Sequence, residues 1–224
     1  MISEYLLPMR GNFLRKNGTN ELVININPNY LDNIFLINGT SFITKDLSAK
    51  DLIIEPHDYY MIINNGKKKI KINYNHNIFI HDIIYNPYKY EHSKKVDFDP
   101  EMFKKVYKIP EGFIDVLAKW YSIKFTYPDY NLIFIKPEMG ISIQVHQLRS
   151  ETWEIIEGKP IIISGNKVFY FVKNGAYFEN SIKTYHSVIN PNIDPEHFVL
   201  IKERWKGKFD EEDIERIYNP NMYY

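Results

Sequence analysis

The stretch that decides the predicted fold is GISIQVHQLRSETWEIIEG, residues 140–158. Gln144 and His146 are two residues apart on a predicted strand, so their side chains point to the same face. Glu151 follows after a turn, and His186 lies on a later predicted strand. If the shared face is the interior of a β-barrel, these side chains enter one cavity.

Short apolar runs at even spacing surround this stretch and predict further strands. Turns such as Ser164-Gly165-Asn166 separate them, which is typical of a sandwich or barrel. A short helix, Glu211–Ile217, is predicted to close the chain. The strands predicted in the second half are Leu132–Ile135, Ile141–Val145, Trp153–Ile156, Pro160–Ser164, Val168–Val172, Ser187–Ile189 and Phe198–Lys202.

One amide, two imidazoles and one carboxylate form a suitable ligand set for a divalent first-row metal. The four candidate ligands are Gln144, His146, Glu151 and His186. Such a set leaves coordination positions open for water or substrate oxygens. A structural role is the alternative, because a single histidine on a strand is more often a core or surface residue than a ligand, and this chain contains seven.

These residues resemble the cupin domain of mannose-6-phosphate isomerases, both the free-standing enzymes and those fused to a mannose-1-phosphate nucleotidyltransferase. The first cupin metal motif is His-x-His, four residues, Glu, six residues and Gly. His146, Glu151 and Gly158 keep this spacing, and Gln144 replaces the first His, as it does in mannose-6-phosphate isomerases. The resemblance extends over roughly residues 120–218.

Other matching pieces follow in the right order. Arg149-Ser150-Glu151 and Trp153 match the fused enzymes, while His186 and Asn190 match the end of the second cupin motif. Residues 209–216, Phe-Asp-Glu-Glu-Asp-Ile-Glu-Arg, resemble the ending of the fused enzymes after their last barrel strand.

The resemblance implies a mainly β chain with a C-terminal cupin, a double-stranded β-helix or jelly-roll barrel. It implies a divalent metal, with zinc as the expected ion, held by the four ligands above. It also implies isomerisation of a hexose 6-phosphate substrate, foremost mannose 6-phosphate to fructose 6-phosphate. Arg149 is the expected catalytic residue, because its planar fork of donors suits a phosphate.

Two other functions stay open. One is a non-catalytic cupin module that binds metal or sugar without turnover. The other is an iron-dependent cupin oxygenase, which is weaker because Gln144 indicates the isomerase branch. Lys136 is a further candidate for the phosphate, although an exposed strand end is the simpler interpretation.

The departures from the family pattern bear on catalysis more than on metal binding. Leu148 stands where the fused enzymes usually have a second His, and Asn131 where they tend to have Lys. Ser181 and Lys183 replace the usual Pro-x-Gly before the last His. The changes at Leu148 and Asn131 leave the metal ligands intact but remove polar groups from the expected substrate pocket.

The first half of the chain also carries β signals. Residues 1–95 are predicted to form an N-terminal β domain without a metal site, and a degenerate cupin is the economical interpretation. Residues 58–74 predict a hairpin that turns at Asn64-Asn65-Gly66. His76 and His81 are five residues apart, which places them on opposite faces of one predicted strand.

A helical linker, residues 96–120, is predicted to join this domain to the cupin domain, residues 121–224. Pro100 suits a first helical turn, and Met102, Phe103 and Val106 fall on one face. After a break at Pro110 and Gly112 the helical pattern resumes with Phe113, Ile114, Val116 and Leu117.

Composition excludes several classes of partner. The 28 basic and 28 acidic residues give the 224-residue chain no net charge, so no global field draws it to nucleic acid or to a membrane surface. The absence of cysteine excludes disulfides and thiolate ligands. No signal peptide or membrane-spanning run is visible, which predicts a cytoplasmic protein. Homodimerisation through β-sheet edges is an open expectation.

Overall fold

The computed structural model describes residues 2–208 and 213–222. It divides the chain into two compact units, one comprising Met1–Lys89 with Gly165–Phe169, and the other Tyr90–Ser164 with Tyr170–Tyr224. The short segment Gly165–Phe169 therefore belongs to the N-terminal unit, although it follows most of the second unit in sequence.

The described residues form strands with few helices, which confirms the mainly β prediction. The helices are α1, Pro100–Val106, and the 3-10 helices Pro28–Asn33, Ala49–Leu52 and Ile78–Ile80. The strands are β1 Ile2–Leu6, β2 Arg10–Gly11, β3 Leu14–Lys16, β4 Leu22–Ile26, β5 Ile34–Asn38, β6 Ser41–Ile43, β7 Ile53–Ile54, β8 Tyr59–Asn64, β9 Ile70–Tyr74, β10 Asp82–Tyr85, β11 Asp115–Ala118, β12 Ser122–Thr126, β13 Asn131–Ile135, β14 Ile143–His146, β15 Arg149–Glu157, β16 Ile161–Ser164, β17 Lys167–Phe169, β18 Tyr177–Asn180, β19 His186–Ile189, β20 Val199–Gly207 and β21 Ile214–Tyr218.

The N-terminal unit contains two antiparallel sheets around one core. One sheet has the order β1-β9-β4-β7, and the other β10-β3-β8-β5-β6-β17, with β2 also beside β8. On β4 the residues Leu22, Ile24 and Ile26 are buried and the residues between them are exposed, the period-2 pattern of a strand with one covered face. Their side chains pack in a single cluster with residues of β5, β8 and β9.

The hairpin predicted over residues 58–74 is wrong, although both of its strands exist. β8 pairs with β3 and β5, whereas β9 pairs with β1 and β4, so the two lie in different sheets. Asn64 explains the crossing. Its buried amide nitrogen Nδ2 lies within hydrogen-bonding distance of the carbonyls of Leu6, Leu7 and Lys68, and its Oδ1 accepts from Gly66 N. These contacts fix the chain as it leaves one sheet for the other.

The prediction that His76 and His81 share one strand is also wrong. The 3-10 helix Ile78–Ile80 lies between them. His81 is buried, and its Nδ1 lies 2.8 Å from the Tyr60 hydroxyl. It therefore contributes to the interior of the N-terminal unit.

The C-terminal unit contains two further antiparallel sheets. One has the order β11-β12-β13-β20-β15-β18, and the other contains β16-β19-β14-β21. The cluster between them draws on both, with Ile135, Trp153 and Ile201 from the first and Ile162 and Val188 from the second. Two facing sheets around an apolar core are the architecture expected of the jelly-roll barrel.

Strand β13 is buried on both faces. Ile133 and Ile135 point into the core between the sheets, whereas Leu132 and Phe134 join an aromatic layer on the opposite face. This layer is covered by α1 through Phe103. Burial on both faces explains why the Asn131–Ile135 segment is almost uniformly apolar rather than alternating.

Helix α1 confirms the first part of the helical linker. Pro100 occupies its first turn, and the Asp99 carboxylate caps it by accepting from the backbone N–H groups of Glu101 and Met102.

Nowhere in the residues that the structure describes is there a helix long and apolar enough to cross a bilayer.

The helical pattern predicted after Gly112 is wrong, because Asp115–Ala118 forms strand β11, paired with β12. Val116 and Ala118, two residues apart, both pack against the aromatic layer, so the real period is 2.

The closing helix predicted over Glu211–Ile217 is wrong where the structure describes it. Glu211 and Glu212 lie outside the described residues, but Ile214–Tyr218 is strand β21. It runs antiparallel to β14, with Arg216 opposite Gln144 and Ile214 opposite His146. Pairing with the backbone of β14 overrides the weak local helical preference of this segment.

Gly158 and Gly175 offer a matched test of the packing. Both have positive φ, but a Cβ at Gly158 would lie 2.8 Å from Val199 Cγ2 and 3.1 Å from Phe198 O, whereas nothing lies within 4 Å of one at Gly175. Gly175→Ala should cost about 1–2 kcal/mol for the left-handed conformation. Gly158→Ala should cost about a further 1–3 kcal/mol from overpacking. Urea denaturation measures both, and equal losses would contradict the described contact.

Candidate metal centre

The candidate ligands meet on the inner faces of three strands. His146 ends β14, Glu151 lies on β15 and His186 begins β19. Glu151 stands between the two imidazoles, with Oε1 2.9 Å from His146 Nε2 and Oε2 3.5 Å from His186 Nε2. One ligand atom from each of the three residues lies within 4.8 Å of the others, and all three side chains are buried. This spacing suits a shared metal ion.

Backbone carbonyls orient both imidazoles. His146 Nδ1 lies 3.0 Å from the carbonyl oxygen of Asp213, and His186 Nδ1 lies 2.8 Å from that of Thr184. A carbonyl can only accept, so each Nδ1 carries the proton and donates it. In the neutral imidazole the Nε2 lone pair then points toward Glu151. Such contacts between Nδ1 and a carbonyl are typical of histidines that bind metals.

Without a cation the cluster cannot satisfy all its polar atoms. If His146 is neutral, its Nε2 lone pair faces the Glu151 carboxylate; if it is protonated, its Nε2–H faces Arg149 Nη2, a donor 3.3 Å away. Each state leaves one repulsive contact. His186 Nε2 is moreover buried without a hydrogen-bond partner among the described residues. A divalent cation accepts these lone pairs together, so the residues fit a metal.

The electrostatics favour a charged Glu151 and a neutral His186. Burial alone would raise the pKa of Glu151, but the hydrogen bond from His146 and the charges of His186, His146 and Arg149 outweigh it and lower the pKa to about 2. Burial lowers the pKa of His186 to about 4, although the negative charge of Glu151 acts to raise it. At neutral pH the carboxylate is therefore charged and the His186 imidazole neutral, as metal binding requires.

Asp213 stabilises the turn that joins the two ligand strands. Its two carboxylate oxygens accept from the backbone N–H groups of Gln147 and Leu148, each at 2.9 Å. Its carbonyl oxygen is the acceptor for His146 Nδ1. One residue thus fixes both the β14–β15 turn and the orientation of a candidate ligand.

Gln144 lies on the same side as this cluster. Its Cα pairs directly with that of His186, and directly opposed residues of antiparallel strands share a face. Its Oε1 accepts from Ser142 Oγ at 2.9 Å, which orients the amide. Asn190, from the second motif, has a structural place instead, with its Nδ2 donating to the carbonyls of Ile135 and His197.

Arg149 is buried against the candidate ligands. Its Nε donates to Glu151 Oε1 at 2.9 Å, and its Nη2 donates toward His146 Nε2. The guanidinium therefore neutralises the carboxylate and lies beside the cluster. Lys136, by contrast, does not line this cavity, and its ammonium lies over the Tyr90 ring.

The cavity beside the cluster has walls from both sheets. Gln144, Arg149 and Glu151 line it together with four residues that sequence reasoning did not assign to the site, namely Lys119, Lys124, Glu203 and Arg216. Lys124 could have been found from the alternation of β12, where it lies between Ile123 and Phe125, which point to the aromatic layer. The wrongly predicted closing helix gave no indication that Arg216 lines the cavity.

Glu203 is the second carboxyl group of the cavity. It accepts from Asn131 Nδ2 at 2.7 Å and from Trp153 Nε1 at 3.1 Å. Burial, together with the negative charge of Glu151, raises the pKa of Glu203 to about 8. Asn131, where the family tends to have Lys, thus supports a buried acid. Trp153 packs edge-on against His186, with ring centroids 5.1 Å apart.

Comparison with known families agrees with this geometry. The family model described as mannose-6-phosphate isomerase C-terminal matches residues 99–219, more than half of the chain. The chain belongs to the mannose-6-phosphate isomerase C-terminal family. The match covers the cluster, the cavity and α1, so the resemblance drawn from the sequence is confirmed. No curated protein sequence matches this member of the family.

Solved structures resemble this mannose-6-phosphate isomerase C-terminal family member only distantly. The Streptomyces nucleoside dehydratase Pac13 is 10% identical with a TM-score of 0.38, over 50% of this chain and 93% of that one. A putative sugar phosphate isomerase from Acidithiobacillus ferrooxidans is 12% identical with a TM-score of 0.36, over 50% of this chain and 75% of that one. The capsular polysaccharide assembling protein CapF from Staphylococcus aureus is also 12% identical with a TM-score of 0.36, over 56% of this chain and 34% of that one.

Metal binding can be tested on the ligands one at a time. His146→Ala and His186→Ala should each remove a ligand and weaken zinc affinity by at least tenfold. Leu148→Ala is the control, because Leu148 is about half-exposed and offers no ligand atom. Titration calorimetry with the chelator-stripped protein measures the affinities. Equal zinc affinity in the His186→Ala and Leu148→Ala variants would contradict the site.

Glu203 predicts a pH-dependent stability difference. Its folded pKa of about 8 exceeds the ordinary 4.5, so between these values the folded state holds a proton that the unfolded state has lost. The free energy of unfolding should therefore fall in wild type, relative to Glu203→Gln, as the pH rises through this window. Glu151 and His186 titrate in both proteins, so their effects should largely cancel. Denaturation of chelated protein at several pH values measures the difference, and a constant difference would contradict the raised pKa.

Proposed function

We propose that this protein is a metal-dependent aldose–ketose isomerase of a hexose 6-phosphate, with mannose 6-phosphate and fructose 6-phosphate as the expected pair. The observation that carries the proposal is the buried cluster of His146, Glu151 and His186 beside a cavity lined by cations. Family membership supports a sugar-related enzyme in general.

The metal set of the proposal is Gln144, His146, Glu151 and His186, with zinc as the ion, since imidazole and carboxylate ligands suit it. A divalent ion held by these residues would supply Lewis-acid stabilisation of negative charge on substrate oxygens. The chain's contribution is to hold the ligands in their charged or neutral binding states and to exclude water from the cluster.

Arg149 is the proposed catalytic residue. Its guanidinium lies beside the candidate ligand atoms, so a sugar that reaches these atoms comes within contact of it. A cation with oriented N–H donors stabilises developing negative charge on a sugar oxygen. The contact with Glu151 keeps the guanidinium in place, because the planar fork is held by a buried carboxylate.

A non-catalytic metal- and sugar-binding module is the second candidate. Two observations favour it. The half-exposed Leu148 stands at a position where the fused enzymes usually have His, and the Asn131 amide donates to Glu203. Both replace groups that could have acted on a substrate. Turnover separates the two candidates, since each predicts a filled metal site.

The test is an assay that couples fructose 6-phosphate formation from mannose 6-phosphate to a reporter, with zinc, manganese, cobalt and iron each supplied. Arg149→Ala should lower kcat about 10²-fold, by analogy with the loss of one charge-stabilising donor. His186→Ala should abolish turnover. His197→Ala is the matched control, because this histidine is exposed and pairs with Asp194 away from the cluster. No turnover from a filled site with several hexose phosphates would overturn the isomerase proposal in favour of the binding module.

A further inference from the structure

We propose that Lys124 and Arg216, assisted by Lys119, form the subsite for the phosphate group of the substrate, in the cavity beside the candidate metal centre. The inference rests on the proposed function for the identity of the sugar. It assigns the phosphate to a different place from Arg149 and Lys136.

Strand register brings Arg216 to the site. Arg216 lies directly opposite Gln144, and Gln144 lies directly opposite His186, so the three form one row across β21, β14 and β19. Residues in such a row share a face of the sheet. Arg216 therefore projects to the same side as the candidate ligands, and it lines the cavity. Its guanidinium forms no hydrogen bond or ion pair within residues 2–208 and 213–222.

Strand alternation brings Lys124 to the same cavity from the other sheet. Ile123 and Phe125 point into the aromatic layer, so Lys124 between them points to the opposite face. Its partners in register, Leu117 and Ile133, also line the cavity. Cations from two facing sheets thus enter one space.

The cavity lining has more basic than acidic residues, whereas basic and acidic residues balance over the whole chain. Its lining contains four basic residues, Lys119, Lys124, Arg149 and Arg216, and two acidic ones, Glu151 and Glu203. Glu151 binds Arg149, and Glu203 accepts from Asn131 and Trp153 and also interacts electrostatically with Lys124. The chain as a whole has zero formal net charge. This local excess favours an anionic ligand.

The chemistry favours a phosphomonoester. A dianion with three acceptor oxygens can accept from a guanidinium fork and an ammonium group at once. The apolar walls at Leu117 and Ile133 lower the local dielectric constant and strengthen these contacts. Arg149 is less suited, because its Nε and Nη2 are directed at Glu151 and His146.

The distance between Arg216 and the candidate metal ligands also suits a hexose 6-phosphate. Arg216 and His186 lie two strands apart, so their Cα atoms are about 9–10 Å from one another. A hexose 6-phosphate carries its phosphate at the opposite end of the carbon chain from C1 and C2. With C1 and C2 at the ligand cluster, the phosphate extends along the cavity toward Arg216.

The experiment compares the affinities of metal-loaded protein for mannose 6-phosphate and for mannose, by titration calorimetry. Wild type should prefer the phosphorylated sugar by at least tenfold. Arg216→Gln and Lys124→Gln should each reduce that preference about tenfold, as expected for loss of a charged hydrogen bond. Lys136→Gln is the matched control, since Lys136 does not line the cavity. Metal content and circular dichroism are measured for every variant, and Lys124→Gln gives an independent test should Arg216→Gln fail to fold.

Several results would overturn the subsite. They are equal affinity of wild type for the two sugars, an unchanged preference in both cavity variants, and glucuronate binding as tightly as mannose 6-phosphate. Different results would overturn the proposed function. Turnover with unchanged KM in the cavity variants would reject the subsite and keep the isomerase. If wild type prefers the phosphorylated sugar but shows no turnover, and the cavity variants lose that preference, the subsite is kept and the isomerase is rejected.

Discussion

The carboxylate of Glu151 is charged at a position where the residue is only 2% exposed. Burying a charge costs several kcal/mol unless neighbouring groups compensate it, and in this centre Arg149 supplies the permanent opposite charge. Arg149 donates to one oxygen, His146 faces the same oxygen, and His186 lies near the other. Asp213 and Thr184 hold the imidazoles in the required tautomers. The geometry of the centre follows from this constraint.

The two-sheet architecture keeps these groups in register. Strand β13 is buried on both faces, and the aromatic layer beneath α1 supports the sheet from outside. Because apolar side chains cover the outer face of β12 and β13, polar side chains on those strands can point only to the inner face. The alternation of apolar and polar residues along these strands therefore places polar side chains in a cavity between the sheets.

The cavity shows how this family member differs from the usual pattern. Leu148 and Asn131 remove a histidine and a lysine from expected positions, yet the cavity lining contains Lys119, Lys124 and Arg216 from other places in the chain. Positive charge in the cavity thus comes from other positions, while the cluster of His146, Glu151 and His186 is kept.

The sequence by itself determined the mainly β class and the family, and it singled out the candidate residues His146, Glu151 and His186 that the fold brings together, because motif spacing and period-2 alternation are local properties of the chain. It also predicted α1, whose Pro100 and Asp99 are local signals. Tertiary structure alone decided the rest. The partners of β8 and β9 are distant in sequence, and β21 is a strand because β14 offers it a backbone partner. The places of Arg216 and Lys124 likewise depend on register between strands that the sequence leaves far apart, and no local pattern encodes that register.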